Sequence, residues 1–231
     1  MKNVLVTGST KGIGLAIARK FCKSGYHAFT NGRGNTSMLS SSNMTYIQAD
    51  VSTLDGVSIL TSSVVKEVNL LDVLILNAGA TCRKSLVDIE YKDWQHVMDT
   101  NVNMPFFIVQ QLKDYISEYG SIIFISSSLS LWPHAISLPY GVSKAAINMM
   151  AKSLVKEFAE KKIRVNVICP GFIDTEWQKE KSPSLRAKIE DKIALGRFGT
   201  PEEVADMCLS VVQNKYVNGS ILSIDGGYDF I

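Results

Sequence analysis

Short apolar runs recur along the whole chain, and longer segments with helical spacing separate them. The seven runs occupy residues 4–7, 28–31, 46–49, 73–77, 122–126, 165–169 and 221–224. Most of them lack apolar–polar alternation, which is typical of parallel strands that helices cover on both faces. The pattern therefore predicts an α/β fold with a doubly wound, seven-stranded parallel sheet, organised as a single domain over residues 1–231.

Helical periodicity predicts helices between these runs. Long helical patterns cover residues 13–24, 53–68, 88–117 and 140–160. Ser182 and Pro183 start a shorter helix. Thr200-Pro201-Glu202-Glu203 combines a capping box with proline at the first helical position, so a further helix begins there.

Composition and charge exclude several classes of protein. The chain has 24 basic and 22 acidic residues and a net charge of +2, without the dense basic run that nucleic-acid binding requires. Its four cysteines lie far apart and form no C-x-x-C, which predicts reduced thiols and no metal site. No apolar run has the length of a signal peptide core or a membrane span. We therefore expect a cytoplasmic protein with neither a nucleic-acid nor a membrane partner.

A glycine-rich turn joins the first strand to the first helix with the spacing G-x-x-x-G-x-G. Such a turn lets the backbone approach a pyrophosphate, and the helix N-terminus stabilises its negative charge. A purely structural turn is the alternative interpretation. The candidate cofactor-binding residues in the turn are Gly8, Ser9, Thr10, Lys11, Gly12, Ile13 and Gly14.

The end of the second strand indicates which dinucleotide would bind. An acidic residue there would bind the ribose 2′-hydroxyl of NAD(H), but this chain has Gly32 and Arg33. Arg33 and Lys11 together can face a 2′-phosphate. The sequence thus favours NADP(H) over NAD(H), with an ordinary solvated loop cation as the alternative for Arg33.

A series of further motifs follows in a fixed order along the chain. These motifs are the glycine-rich turn, Asp50-Val51, Asn77-Ala78-Gly79, Asn101, Ser127, Tyr140-x-x-x-Lys144, Pro170-Gly171 and Asp225-Gly226-Gly227. Through them the chain resembles the short-chain dehydrogenase/reductase family from residue 4 to residue 227, and this resemblance implies a Rossmann-type sheet. The sequence is most similar to the 3-oxoacyl-(acyl-carrier-protein) reductase type, through Pro170-Gly171-Phe172 and residues 196–205.

The candidate catalytic residues are Asn101, Ser127, Tyr140 and Lys144. Reducing a ketone needs a proton donor, and Tyr140 follows Ser127 by 13 residues, as in the family. A tyrosine pKa near 10 needs a nearby cation, which Lys144 supplies from the same helix face. Ser127 would orient the carbonyl, although Ser126 and Ser128 are its neighbours.

Several roles are implied by the resemblance alone. In the family, the asparagine at the position of Asn101 helps to hold a proton-relay water near the lysine, whereas a helix-surface amide is the alternative. The lysine at the position of Lys144 also bonds the nicotinamide ribose. The remaining cofactor-binding positions implied by the family are Asp50, Val51, Asn77, Ala78, Gly79, Pro170, Gly171, Ile173 and Thr175, together with Tyr140 and Lys144 themselves.

A small lid over the substrate is expected around residues 175–195. Trp132 and Trp177 would form apolar walls of the pocket. For His134 a surface or packing role is favoured over contact with substrate. Only 17 residues separate Arg33 from Asp50, fewer than the family usually has, so the helix between strands two and three is expected to be truncated or absent.

These residues predict an NADP(H)-dependent oxidoreductase that interconverts a small-molecule ketone and a secondary alcohol. Reduction of a 3-oxoacyl thioester is one candidate reaction, while a steroid, a sugar or another secondary alcohol is the alternative substrate. Residues 114–118, with acidic side chains before the serine strand, give little support to docking of acyl carrier protein. A non-catalytic NADP-binding sensor is the competing class. By analogy with the family we expect a homo-oligomer, either a tetramer or a dimer.

Overall fold

The computed structural model describes residues 1–35, 40–132, 137–228 and 230. Seven strands form one parallel sheet in the order β3-β2-β1-β4-β5-β6-β7, which confirms the predicted architecture. The strands are β1 (Lys2–Val6), β2 (Tyr26–Gly32), β3 (Met44–Gln48), β4 (Leu71–Leu76), β5 (Ile116–Ile125), β6 (Arg164–Pro170) and β7 (Ile221–Ile224).

Helices cover both faces of the sheet. They are α1 (Gly12–Lys23), α2 (Leu54–Glu67), α3 (Tyr91–Met98), α4 (Met104–Leu112), α5 (Leu138–Glu157), α6 (Glu176–Lys179), α7 (Pro183–Glu190) and α8 (Pro201–Gln213). Side chains of α2, α4 and α5 pack with Leu5 on one face, whereas those of α1 and α8 pack with Val4 and Val6 on the other. Because successive strand residues point to opposite faces, burial on both sides explains the uninterrupted apolar runs.

The predicted helix over residues 88–117 is wrong as a single element. The chain there contains α3, a π-helical segment at Asp99–Asn103, and α4, which ends at Leu112. Strand β5 already begins at Ile116, and its pairing with β4 shifts register between Leu71 and Val73. The apolar residues 115–116 fit either a helix or a strand, and only the neighbouring β4 decides between them.

The connection between β2 and β3 is short, as its length predicts. Its described residues, 33–35 and 40–43, contain no helix. The Tyr46 hydroxyl donates to the carbonyl of Gly32 at 3.0 Å and also bonds that of Gly34, which holds the start of the loop against β3. His134 lies outside the described residues, so its predicted role stays a prediction.

A buried arginine secures the C-terminal side of the sheet. Arg164, at the start of β6, donates to the carbonyls of Val211 and Val217 through Nη1 and to that of Val212 through Nη2, at 2.8 to 3.0 Å. Two of these bonds satisfy carbonyls at the end of α8, and the third holds the segment that follows it. Across the described ranges, no helix is long and apolar enough to cross a membrane. Since all seven strands run in parallel, the loops that follow them meet at one edge.

Candidate active site

The glycine-rich turn passes very close to the end of β4. Gly8 has a φ of +61°, and a Cβ at this residue would lie 2.8 Å from the Cα of Ala78. A Cβ at Gly14 would lie 2.4 Å from the Gly8 carbonyl oxygen and 2.6 Å from Nδ2 of Asn77. These distances exclude a side chain, so both positions require glycine in this packing.

Hydrogen bonds hold this close approach in place. The Thr7 hydroxyl oxygen accepts from the backbone N–H groups of Asn77 and Ala78, both at 3.0 Å. In return, Nδ2 of Asn77 donates to the carbonyls of Thr7 at 3.0 Å and Gly8 at 2.9 Å. Asn77 and Ala78 therefore act here as the structural support of the turn.

Asn31 is a supporting residue that the sequence analysis missed. Its backbone exchanges hydrogen bonds with Ser9, and its Nδ2 donates to the carbonyls of Ile47 at 3.2 Å and Ala49 at 3.0 Å. Asn31 is fully buried. A buried amide costs free energy unless it is bonded, so an asparagine at the end of an apolar strand was the available signal.

The start of α1 has the properties of an anion site. Lys11 occupies the N-cap position without a side-chain cap, and the first turn holds no acidic residue. A Cβ at Gly12, where φ is +54°, would meet only Thr175 within 4 Å, at 3.4 Å from Cγ2. Other helices begin with a side chain that caps a backbone N–H, at Thr53, Ser182 and Thr200. The uncapped N–H groups beside Gly12 thus fit a dinucleotide pyrophosphate.

The end of β2 packs directly on this turn. A Cβ at Gly32 would lie 2.3 Å from Cγ2 of Thr10. Lys11 and Arg33 each follow one of these two touching residues, and both side chains are exposed. Two cationic side chains are therefore exposed beside the contact between the glycine-rich turn and the end of β2.

Asp50 follows β3 within the electrostatic reach of Arg33, and Val51 next to it is buried. Burial of the Asp50 carboxyl raises its pKa, but hydrogen bonds from the Ser52 hydroxyl at 2.7 Å and backbone N–H at 3.0 Å act in the opposite direction. The charges of Arg33 and His96 add to this effect, so the pKa of Asp50 is lowered overall. Asp50 is thus a carboxylate within the electrostatic reach of Arg33.

Three of the four candidate catalytic residues meet beyond the end of β5. The hydroxyl groups of Ser127 and Tyr140 are hydrogen-bonded to each other. The Lys144 ammonium lies 5.5 Å from the centroid of the Tyr140 ring and donates to the carbonyl of Ile125 at 2.8 Å. Lys144 is 3% exposed, and this is its only side-chain hydrogen bond with described residues. An ammonium has three donors, so two remain for a ligand such as a ribose diol.

The structure distinguishes the three neighbouring serines. The Ser126 hydroxyl donates to the backbone carbonyl of Lys144 at 3.1 Å, while Ser128 begins a short 3₁₀ turn. Only Ser127 of the three is bonded to the hydroxyl of Tyr140. The geometry thus favours the serine that the spacing selects.

Burial controls the protonation of this group. Desolvation raises the pKa of Tyr140 to about 12, although the hydrogen bond from Ser127 acts in the opposite direction. Burial lowers the pKa of Lys144 to about 8. The pKa of Tyr140 thus lies above its usual value, because the loss of water around the phenol outweighs the hydrogen bond from Ser127. The expectation that Lys144 favours the phenolate stays a prediction.

Asn101 is buried rather than a helix-surface amide. It lies in the π-helical segment, and its side chain bonds both the N–H and the C=O of Ala80, at 2.8 and 2.9 Å. Nδ2 also donates to the Ser143 hydroxyl at 2.8 Å, which in turn donates to the carbonyl of Tyr140 at 2.7 Å. Asn101 thereby connects the loop after β4 to α5. Ser143 is a second supporting residue that the sequence analysis missed.

Gly79 also contributes to the contact between the loop after β4 and α5. A Cβ at Gly79 would lie 3.3 Å from Oδ1 of Asn101 and 3.6 Å from the Lys144 ammonium. The loop after β4 thus brings its backbone close to the buried cation.

The segment after β6 closes the other side of the cleft. Gly171 donates its N–H to the Ile224 carbonyl at 3.0 Å, and a Cβ there would lie 2.7 Å from that of Asp225. Ile173, three residues beyond Pro170, forms a bridge with Gly199. Thr175 follows and faces Gly12, as described above. The structure thus brings the predicted residues after β6 to the same edge as the glycine-rich turn.

The expected lid region contains α6 and α7. Trp177 of α6 packs edge to face on Tyr140, with ring centroids 6.3 Å apart. Trp132 is 53% exposed. Trp177 therefore forms an apolar wall directly against the phenol.

Comparisons with known proteins match almost the whole chain. A family model described as enoyl-(acyl carrier protein) reductase matches residues 8–229. A 3-oxoacyl-(acyl-carrier-protein) reductase of Chlamydia muridarum is 34% identical over 239 residues, covering 98% of this chain and 96% of that protein. Glucose 1-dehydrogenase 2 of Bacillus subtilis is also 34% identical, over 242 residues that cover 98% of this chain and 94% of the relative.

Solved structures agree with this result. A short chain dehydrogenase family protein from Francisella tularensis superimposes with a TM-score of 0.92 at 29% identity, covering 99% of both chains. The structure described as a Pseudomonas aeruginosa RhlG/NADP active-site complex has a TM-score of 0.92 at 28% identity, covering 98% of this chain and 96% of the other.

The low pKa of Lys144 can be tested by a lysine titration. Because burial disfavours the ammonium, we expect one lysine side-chain signal to titrate near pH 8 in carbon-13 NMR, below the usual value of about 10.4. Lys144→Met should remove this signal, whereas Lys152→Met, on the same helix, should leave it. The absence of any signal titrating below about pH 9.5 would contradict the assignment.

Proposed function

Because this chain belongs to the short-chain dehydrogenase/reductase family, whose members use nicotinamide cofactors, we propose that it is an NADP(H)-dependent oxidoreductase that interconverts a ketone and a secondary alcohol. One observation carries the proposal above all others. The bonded hydroxyl groups of Ser127 and Tyr140 lie beside the under-bonded ammonium of Lys144, at the edge of the sheet that also holds the uncapped start of α1.

The chemistry requires a hydride on the carbonyl carbon and a proton on its oxygen. A reduced nicotinamide dinucleotide, when bound, supplies the hydride. The Tyr140 hydroxyl donates its proton to the carbonyl oxygen as the C=O bond becomes a C–O–H group. The Ser127 hydroxyl donates a hydrogen bond to the same oxygen, which orients the carbonyl and stabilises its developing negative charge.

The pKa values suit proton donation at neutral pH. With a pKa of about 12, Tyr140 is protonated, and with a pKa of about 8, most of Lys144 is charged. The tyrosinate that forms during reduction gains stabilisation from the Lys144 ammonium. In alcohol oxidation Tyr140 has to act as a base and therefore has to be deprotonated. Because its pKa is high, the rate of oxidation should increase as the pH rises.

Lys11 and Arg33 support the choice of NADP(H). They flank the contact between Thr10 and Gly32, and no acidic residue stands at the end of β2. The charge of Arg33 also acts on Asp50, which follows β3 at the adenine side of the cleft in the family. An Arg fork and a lysine can together bind the dianionic 2′-phosphate.

The substrate is proposed only as a class. The relatives reported above are a 3-oxoacyl thioester reductase and a sugar dehydrogenase, so both remain candidates. The proposed lid at 175–195 places Trp177 on Tyr140, which favours a substrate with an apolar segment next to its carbonyl. Asp114 and Glu118 are paired with Lys161 and Lys162, so this region offers little excess positive charge to an acyl carrier protein.

A homo-oligomer, dimeric or tetrameric, is part of the proposal, with the cytoplasm as its compartment. Phe106 of α4 and Val142 and Met149 of α5 expose 39%, 40% and 65% of their surface. Phe158 is in the core instead, and Met150 is partly buried against it. Exposed apolar side chains on two helices that cover the same face of the sheet are typical of an interface.

Tyr140→Phe tests the proton donor. The variant should bind NADPH within about twofold of the wild type, and should lose turnover of any accepted ketone by at least about 100-fold. Tyr115→Phe, which removes an exposed hydroxyl outside the site, is the matched control. Fluorescence titration measures binding and NADPH absorbance measures turnover. Turnover retained in Tyr140→Phe would refute the role.

Arg33→Ala tests the cofactor preference. The wild type should bind NADPH more tightly than NADH, and the variant should narrow the difference by about tenfold or more through loss of a charge-assisted bond. Arg19→Ala removes an exposed arginine from α1 and should leave the ratio unchanged. Equal affinities for the two cofactors in the wild type would overturn the assignment.

Met149→Glu tests the oligomer. A charge in the proposed apolar interface should shift the mass in solution from dimer or tetramer toward the monomer, as measured by light scattering. Lys23→Glu, at the exposed end of α1 on the other face of the sheet, is the control for added charge. A monomeric wild type would contradict the proposal.

A further inference from the structure

Three basic residues of separate segments come together beside the lid. Arg83 is exposed in the loop after β4, Lys181 follows α6, and Arg186 lies on α7. The pKa of Lys181 is lowered by burial, and further by the positive charges of Arg83 and Arg186. The three cations therefore lie within electrostatic reach of one another in the folded chain, although about 100 residues separate the first from the last.

Two sets of contacts place this group at the entrance to the site around Tyr140. The Ser137 hydroxyl shares a 2.7 Å hydrogen bond with that of Thr81 and donates to the carbonyl of Cys82 at 3.1 Å. Ser137 directly precedes α5, whose first turn carries Tyr140, so the loop that bears Arg83 is fixed to the start of this helix. On the lid side, Trp177 packs on Tyr140 and Lys181 follows four residues later.

The charges of the group are only partly compensated. Nη1 of Arg186 donates to Oδ1 of Asp174 at 3.1 Å, and its guanidinium lies 4.3 Å from the centre of the Phe198 ring. Glu180 acts on Lys181, but not strongly enough to prevent the lowering of its pKa. Within the described ranges, neither Arg83 nor Lys181 has a carboxylate oxygen within 4.0 Å. Two cations at the entrance therefore lack an ion pair.

We propose that Arg83 and Lys181 bind an anionic group of the substrate, a phosphate or a carboxylate, that is separated from the reacting carbonyl by an apolar segment. The proposal rests on the carbonyl chemistry proposed above and specifies its substrate class. The planar fork of Arg83 suits two oxygens of such a group, and Lys181 adds a point charge from the lid. The apolar segment between would lie along Trp177.

Pairs of ketones with and without a remote anionic group test this substrate class. Acetoacetyl-coenzyme A and acetoacetyl-N-acetylcysteamine share the 3-oxoacyl thioester, but only the first carries phosphates. The compounds 5-oxohexanoate and 2-hexanone are a methyl ketone with and without a remote carboxylate. With saturating NADPH, we expect kcat/KM of the anionic member to exceed that of the neutral one by about tenfold or more in one pair, which identifies the anion.

Variants of the chain separate the anion site from other effects. Arg83→Gln and Lys181→Gln should each reduce the anionic-to-neutral ratio by about tenfold, the loss of one charge-assisted hydrogen bond. Arg83→Lys should retain part of the ratio, because it keeps the positive charge but loses the fork. Lys188→Gln removes a charge from α7 two residues after Arg186, on a different side of the helix, and should leave the ratio unchanged. A ratio that is the same in the wild type and both glutamine variants overturns the anion site.

Failure of the proposed function is distinguishable from failure of the anion site. If neutral ketones are reduced but charge has no effect, the function stands and the anion site is refuted. If no ketone is reduced, binding of butyryl-coenzyme A and butyryl-N-acetylcysteamine to the NADPH-saturated protein decides. Both affinities are measured by calorimetry. If Arg83→Gln weakens the binding of butyryl-coenzyme A about tenfold, the anion site is supported. Equal affinities of the wild type and the variant refute it.

Discussion

The packing of the glycine-rich turn against the end of β4 is the constraint on which the rest of the site depends. A Cβ at Gly14 would come within 2.4 Å of the Gly8 carbonyl, so the backbone itself forms the wall between the two loops. Thr7 and Asn77 bond across this contact. Because the turn is held in this way, the first N–H groups of α1 are directed at the cleft rather than at a capping side chain.

The second determinant of the site is burial. Tyr140 and Lys144 lie one helical turn apart on α5, and the protein around them shifts both pKa values toward the neutral forms, to about 12 and about 8. A hydroxyl donor and an almost fully buried cation with spare hydrogen-bond donors therefore lie close together. In such a place electrostatic interactions with a bound reactant are stronger than in solvent.

Local sequence patterns predicted most of the helices and strands. They failed where the secondary structure of a segment depends on the strand it pairs with. The seven strands and the capping box at Thr200 follow from residues that are neighbours in the chain. The strand at Ile116 does not, because residues 115–116 suit a helix as well as a strand and the choice comes from pairing with Leu71. For the same reason Asn31 and Ser143 were missed, since their bonds join segments distant in sequence.

The sequence by itself determined the parallel sheet, the glycine turn and the identity of Ser127, Tyr140 and Lys144 as candidates, since apolar periodicity and motif spacing are local properties. Only the tertiary structure decided which of three serines bonds Tyr140, the direction in which the pKa of Tyr140 shifts, and the electrostatic interaction of Arg83 with Lys181. Desolvation and charge–charge interactions depend on distance in space. Folding brings together groups that no spacing along the chain relates to one another.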